Sequence, residues 1–285
     1  MDGTRDRPRL GRVVVGVDGS PSSQDAVAWG EAEAVLRGTS LCLVHATNTE
    51  GRSSYLSSEE AGRVRSAGRA LLDRTAATVA ARHPSLSVID ALTGGAPGPG
   101  LRQAAAITGT IVVGHRGLGG FSSLLLGSVG LEAVANATTP VVVVRGDGET
   151  GAAGRVLVAV RDRNDLGSAL QAADEALLRE VPLRILHIGN GRSAGGAGTA
   201  PDTVAGRVRQ EFPDLTVDVD VERSGSVPGA LVDASSHADL LVVGGRRAPG
   251  YLGPTLGRTT LGLVQHAHCP VELVPRHGAG HGSTS

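Results

Sequence analysis

The sequence predicts an α/β protein built from two tandem units, each an open parallel five-stranded sheet flanked by helices. Short apolar runs of four to seven residues alternate with Ala-rich segments of helix length along the chain, the pattern of strand and helix units in a parallel sheet. The second half repeats the first in order and spacing, as a duplicated domain does. The length of 285 residues also exceeds what one hydrophobic core usually serves, which suits two units of about 140 residues.

In the first half, the Val, Leu and Ile runs place strands near residues 12–17, 40–46, 87–92, 110–114 and 141–145. Helices are expected over 22–37, 58–82, 99–107 and 128–136. In the second half the strands recur near 155–161, 182–188, 216–222, 240–244 and 271–275, with counterpart helices between them. From Gly95 onward the two halves align at a constant offset of 130: Gly95 on Gly225, Leu101 on Leu231, Gly114 on Gly244, Gly127 on Gly257, Leu131 on Leu261 and Pro140 on Pro270. Toward the N-terminus the offset grows to about 143, with Val13 on Val156 and His45 on His187. The second half is therefore about 13 residues shorter around its second helix, where residues 189–200 read as a Gly-rich loop. The units are expected over residues 1–147 and 154–275, joined through a Gly, Ala and Asp segment at 146–154, with a disordered tail at 276–285.

All 27 positive residues are arginine, and there is no lysine. Chemistry that needs an ε-amine is excluded: the Walker A lysine, the kinase strand lysine, pyridoxal Schiff bases and lysine general bases. The net charge is -1 and each half is near neutral, which argues against nucleic-acid or anionic-membrane binding through bulk charge. Residues 1–10 are charged with no apolar stretch behind them. No apolar run approaches the roughly 18 residues of a spanning helix, so the chain is expected to be soluble and cytoplasmic. Cys42 and Cys269 are too few for a disulfide framework and suit a reducing compartment. Both are expected to sit as small buried apolar residues.

Two segments of the first half carry chemistry. Residues 13–20 read VVVGVDGS: a buried strand runs out at Asp18, at the carboxyl end where open parallel sheets bind ligands. The alternative is that Asp18 or Ser20 only caps the following helix. Residues 111–129 read IVVGHRGLGGFSSLLLGSV. Here a strand ends at Gly114, a glycine-rich excursion follows, and Gly127-Ser128-Val129 opens a helix. Gly114, Gly117 and Gly127 would let the backbone approach a ligand, and the amides of Ser128 and Val129 at a helix start attract anions. The Ser128 hydroxyl adds a donor. Arg116, within the loop, could reach an anion or could be a solvated surface residue.

The spacing Gly114, two residues, Gly117, nine residues, Gly127-Ser128 resembles the nucleotide-binding signature of the universal stress protein family. Asp18 matches a family position at the first strand end, and the tandem halves are similar to the family's two-domain form across essentially the whole chain. The resemblance implies an adenine nucleotide alpha hydrolase-like fold with strand order 3-2-1-4-5 and ATP, with or without Mg²⁺, held by the first unit. Asp18 would contact the adenosine, Ala46 would line the base pocket, and Gly114, Gly117, Gly127, Ser128 and Val129 would hold the phosphates. It also implies an internal pseudo-dimer in which residues 141–144 meet 271–274, and leaves room for a homodimer. Other nucleotide folds fit worse. The dinucleotide fingerprint belongs after the first strand, whereas Gly117 follows the fourth, and residues 18–23 lack the Ser-Gly-Gly-x-Asp-Ser loop of the ATP pyrophosphatases.

At the aligned positions of the second half, Arg161 replaces Asp18, Arg247 replaces Gly117 and Arg258 replaces Ser128. The signature is degenerate there: either the arginines fill space and make ion pairs, or they bind a different anion. Catalytic residues are not apparent. His45 and His187 occupy equivalent strand ends, which suggests a structural role, and no nucleophile accompanies them. His266 and His268 beside Cys269 have no second ligand pair, and His277 and His281 lie in the tail. The leading expectation is a nucleotide-dependent stress-response or signalling module without efficient turnover, in which ATP orders residues 115–126 and alters a surface for an unidentified protein partner. The alternatives are a slow ATPase or phosphotransferase acting through Ser128, and a ligand-free scaffold.

Overall fold

Val- and Leu-rich runs covered on both faces form the strands, as a helix-flanked parallel sheet requires. The computed structural model describes residues 11–52, 55–106, 109–117, 127–145, 153–189, 199–245 and 256–275. It divides into two compact units between Thr150 and Gly151. The first unit contains β1 (Val13–Gly16), α1 (Pro21–Arg37), β2 (Leu41–Ala46), α2 (Ser58–Arg82), β3 (Val88–Thr93), α3 (Pro97–Ala105), β4 (Thr110–Gly114), α4 (Ser128–Ala135) and β5 (Val141–Val144). Its strands pair in parallel in the order β3-β2-β1-β4-β5. The second contains β6 (Val156–Ala159), α5 (Leu166–Leu178), β7 (Leu183–Gly189), α6 (Ala200–Glu211), β8 (Val217–Arg223), α7 (Val227–Ser235), β9 (Leu240–Gly244), α8 (Arg258–His266) and β10 (Val271–Val274). Its order is β8-β7-β6-β9-β10, again all parallel. Among the described residues no helix is long and apolar enough to cross a membrane.

The strand registers repeat between the units residue by residue. Val13 pairs with Leu41 and Thr110, as Val156 pairs with Leu183 and Leu240. Leu41 then faces Val88 as Leu183 faces Val217. The alignment offset therefore falls between the second and third strands of each unit, and the helix there accounts for it. Helix α2 has 25 residues and α6 has 12, so the shortening lies in the helix itself. Residues 190–198 of the expected Gly-rich loop, residues 146–152 of the linker and the tail 276–285 lie outside the described residues.

Local sequence sets the helix ends. Ser57 and Glu60 form a reciprocal capping box at the start of α2. Helix α3 begins at Pro97, two residues ahead of the expected start at Pro99; either proline suits a first turn, whose N–H has no intrahelical acceptor. It stops at Ala105, before a residue of positive φ, Ala106.

Each unit also buries an ion pair on its first helix. Arg37 Nε lies 2.5 Å from Glu33 Oε1, and Arg37 Nη1 donates to Thr110 Oγ1 at 2.8 Å. Both side chains are buried. Arg179 and Glu175 repeat the pair at the same four-residue spacing on α5. Removing one member of such a pair strands a charge away from water, at a cost of about 3–5 kcal/mol. Arg37→Ala is expected to lower stability by about that amount in chemical denaturation. Arg179→Ala, at a more exposed side chain, should cost less.

Candidate functional site

The strand order reverses between β1 and β4, and the crevice outside the carboxyl ends at such a point is where open α/β sheets take ligands. A cavity of about 260 Å³ lies there. All eight residues singled out from the sequence line it. Asp18 comes from the end of β1 and Ala46 from the end of β2. Gly114, Arg116 and Gly117 follow β4, and Gly127, Ser128 and Val129 open α4. Val17, Val44 and His45 also line the cavity, as do Pro97 and Leu101 of α3, which motif spacing did not reach. Their signal was positional: α3 starts just past the carboxyl end of β3, on the side of the sheet that carries the cavity.

At the end of β1, Ser20 caps α1, its Oγ accepting the Ser23 N–H at 3.1 Å. Asp18 acts one step earlier in the chain. Its Oδ1 accepts the Ser20 N–H at 2.9 Å, an Asx turn that fixes the carboxylate at the strand end. Ser23 Oγ in turn accepts the amides of Asp18 and Gly19 at 3.4 and 3.2 Å.

Two of the glycines answer to close contacts within the protein. A Cβ on Gly114 would stand 2.3 Å from the Ser22 carbonyl oxygen, so only glycine lets α1 begin against β4. A Cβ on Gly117 would stand 2.6 Å from Asp18 Oδ2, so this glycine lets the carboxylate lie against the loop. Gly127 has φ -65°, and a Cβ there would meet nothing closer than 3.5 Å. Its amide donates to the His115 carbonyl at 2.9 Å, which ties the two ends of the excursion together. The helix-start amides that precede the first intrahelical bond, from Leu131 N–H to Gly127 O, are those of Ser128, Val129 and Gly130. Arg116 and Ser128 are exposed at the rim, and residues 118–126 of the excursion lie outside the described residues.

The histidines divide into two kinds. His45 Nδ1–H donates to the Val17 carbonyl at 2.7 Å and His187 Nδ1–H to that of Val160 at 2.8 Å. In both units this ring ties the second strand to the end of the first, a structural role. His115 is half-buried, and its pKa is held below the ordinary 6.5, first by burial and then by the charges of Arg145 and Arg116. Cys42 and Cys269 are both buried. Burial pushes the Cys269 thiol up to about 12, which leaves it inert.

In the second unit Arg161, at the position of Asp18, turns onto its own chain. Its Nη2 donates to Asp165 Oδ1 at 2.9 Å and to the Gly244 carbonyl at 3.0 Å, while its Nε donates to Asp165 Oδ2 at 3.2 Å. Asp165 is fully buried and also accepts the Arg161 amide at 2.8 Å. The guanidinium thus serves an internal ion pair across the strand ends. Arg258 is exposed at the start of α8, and Arg247 lies outside the described residues.

Two parallel sheets of order 3-2-1-4-5 with a strand-end cavity in the first define a tandem protein of the adenine nucleotide alpha hydrolase-like class. Within that class the chain belongs to the universal stress protein family, whose model matches residues 10–145 and 153–275. It is similar to a universal stress protein of Mycobacterium tuberculosis, with 28% identity over 279 residues, covering 95% of this chain and 99% of the relative. A universal stress protein of Mycolicibacterium smegmatis is 36% identical over 138 residues, 47% of this chain and 45% of the relative. A crystal structure of a universal stress protein from Archaeoglobus fulgidus shares the fold, with a TM-score of 0.72 at 18% identity, covering 94% of this chain and 99% of that one.

Two outcomes are expected. Arg161→Ala should destabilise the second unit by about 1–3 kcal/mol in chemical denaturation, because it strands the buried Asp165. The His115 ring should titrate below 6.5 by NMR. Because folding depresses this pKa, the neutral ring's contribution to stability is complete above the unfolded value and is lost as pH falls toward the folded one. His115→Asn should flatten that loss in denaturation midpoints measured between neutral and mildly acidic pH.

Proposed function

We propose that the first unit binds an adenine nucleotide, ATP, and that the protein works as a nucleotide-dependent stress-response or signalling module without efficient turnover. One observation carries this reading: eight residues chosen from four separate stretches of sequence converge on one cavity at the strand ends. The donor set fits the ligand. Apolar groups of Val17, Val44 and Leu101 suit a base, with Ala46 beside them and Asp18 at the strand end for the ribose. The amides of Ser128 and Val129, the Ser128 hydroxyl and the Arg116 guanidinium suit phosphates. The room around Gly117, which a Cβ would close against Asp18, supports the same end of the ligand. Mg²⁺ would enter on the phosphates themselves.

The lining also favours binding over chemistry. Asp18 Oδ1 holds the Ser20 amide and His45 Nδ1 holds the Val17 carbonyl, so these two titratable groups are engaged with backbone. In the second unit the Arg161 and Asp165 pair bridges the corresponding strand ends, and one nucleotide per chain follows.

Calorimetry with ATP tests the reading on the wild-type chain and on Gly117→Arg, which brings in the second unit's own residue. Binding near one nucleotide per chain is expected, weakened at least about tenfold in Gly117→Arg, with no sustained phosphate release over multiple turnovers. Unchanged affinity in Gly117→Arg would remove the loop from the site. Sustained release that disappears in Ser128→Ala would make the protein an enzyme, and no binding by wild type would leave a scaffold.

A further inference from the structure

Ser22 and His115 stand behind the cavity wall and fix the point where the glycine-rich segment leaves β4. Ser22, the second residue of α1, is buried. Its Oγ lies 2.8 Å from His115 Nδ1 and accepts the Arg116 N–H at 3.3 Å. A hydroxyl has a single hydrogen. Oγ can accept the Arg116 N–H and still give that hydrogen to Nδ1 of a neutral ring whose proton is on Nε2. The surroundings favour the same state: burial and the charges of Arg145 and Arg116 oppose protonation, against a bond to the Val144 backbone and the carboxylate of Asp25 on α1. The His115 carbonyl also accepts the Gly127 amide at 2.9 Å. One residue therefore joins the start of α1, the ends of β4 and β5, and the start of α4.

The second unit lacks the arrangement. Asp165 stands at the position of Ser22 and Gly245 at that of His115. Both partners of the pair are absent in the half whose glycine signature is broken at Arg247.

We infer that the Ser22 and His115 pair positions the phosphate-binding end of the cavity. It sets the backbone of Arg116 and Gly117 through the Ser22 hydroxyl, and the start of α4 through the His115 carbonyl. The nucleoside end, built from β1, β2 and α3, is independent of it. This role rests on the adenine-nucleotide reading of the cavity, and it assigns to two residues outside the lining a discrimination between a nucleotide and its nucleoside.

Calorimetry on the full chain with ATP and with adenosine tests the pair, with thermal unfolding to confirm that each variant folds. Ser22→Ala removes the acceptor for Arg116 and the partner of the ring, and His115→Ala removes the ring. His115→Asn keeps a side-chain oxygen near the place of Nδ1 to accept the Ser22 hydroxyl. ATP affinity is expected to fall about tenfold in both alanine variants, the scale of one lost hydrogen bond to a buried group. Adenosine affinity should stay within about twofold of wild type, and His115→Asn should recover most of the loss for ATP. If Ser22→Ala fails to fold, the two His115 variants decide alone. Equal losses for ATP and adenosine, or no recovery in His115→Asn, would reduce the pair to support of the fold and overturn the inference while leaving the nucleotide reading intact. Wild type binding neither ligand would overturn that reading, and this inference with it.

Discussion

The cavity depends on a single topological constraint. In a sheet of order 3-2-1-4-5 the chain leaves β1 toward one edge and leaves β4 toward the other, so no connection covers the ends of these two central strands. What surrounds the gap must be brought there by side packing, and the tightest contact is the Ser22 carbonyl against the bare Cα of Gly114. That contact sets how far α1 can lean over β4. The Ser22 hydroxyl then reaches the Arg116 amide, and the Asp18 carboxylate lies against Gly117. Absence of lysine is no obstacle to the proposed phosphate site, for which helix-start amides, a serine hydroxyl and a guanidinium would be the donors.

The two units keep one backbone frame and load its central gap differently. In the first, a carboxylate and a hydroxyl hold loop backbone. In the second, Asp165 takes the place of Ser22, and a buried carboxylate needs a cation. Arg161 provides it from the position of Asp18 and reaches on to the carbonyl of Gly244. The substitutions at these positions form a matched set: an acid where the first unit has a hydroxyl, and a base where it has an acid.

Much of the fold was legible because the chain punctuates its elements sharply. Residues 110–114 and 240–244 are strands to the residue, and residues 58–82 are a helix to the residue. Helix α3 starts at Pro97 and not at Pro99, because both prolines suit a first turn and local sequence does not choose between them. The cavity lining was legible where one motif spans both a strand end and a helix start. Ser22 and His115 were not, since a hydrogen bond between residues 93 positions apart leaves no trace in local spacing. The buried pairs of Glu33 with Arg37 and Glu175 with Arg179 were hidden for a related reason: on a helix, this spacing looks the same whether the pair faces water or core. Glu272, fully buried on β10 where β5 has Val142, breaks an otherwise apolar strand and receives a hydrogen bond from Gln171.

The difference in length between α2 and α6 bears on how each unit assembles. Leu92 packs against the core of the first unit, whereas Val221, its counterpart beside the equivalent histidine, is 54% exposed. At 25 residues and with its own capping box, α2 is long enough to nucleate on local terms. At 12 residues, α6 is near the length at which isolated helices become marginal in water, and it must borrow its stability from strands already in place. The second unit therefore leans on its sheet to hold this helix more than the first unit does.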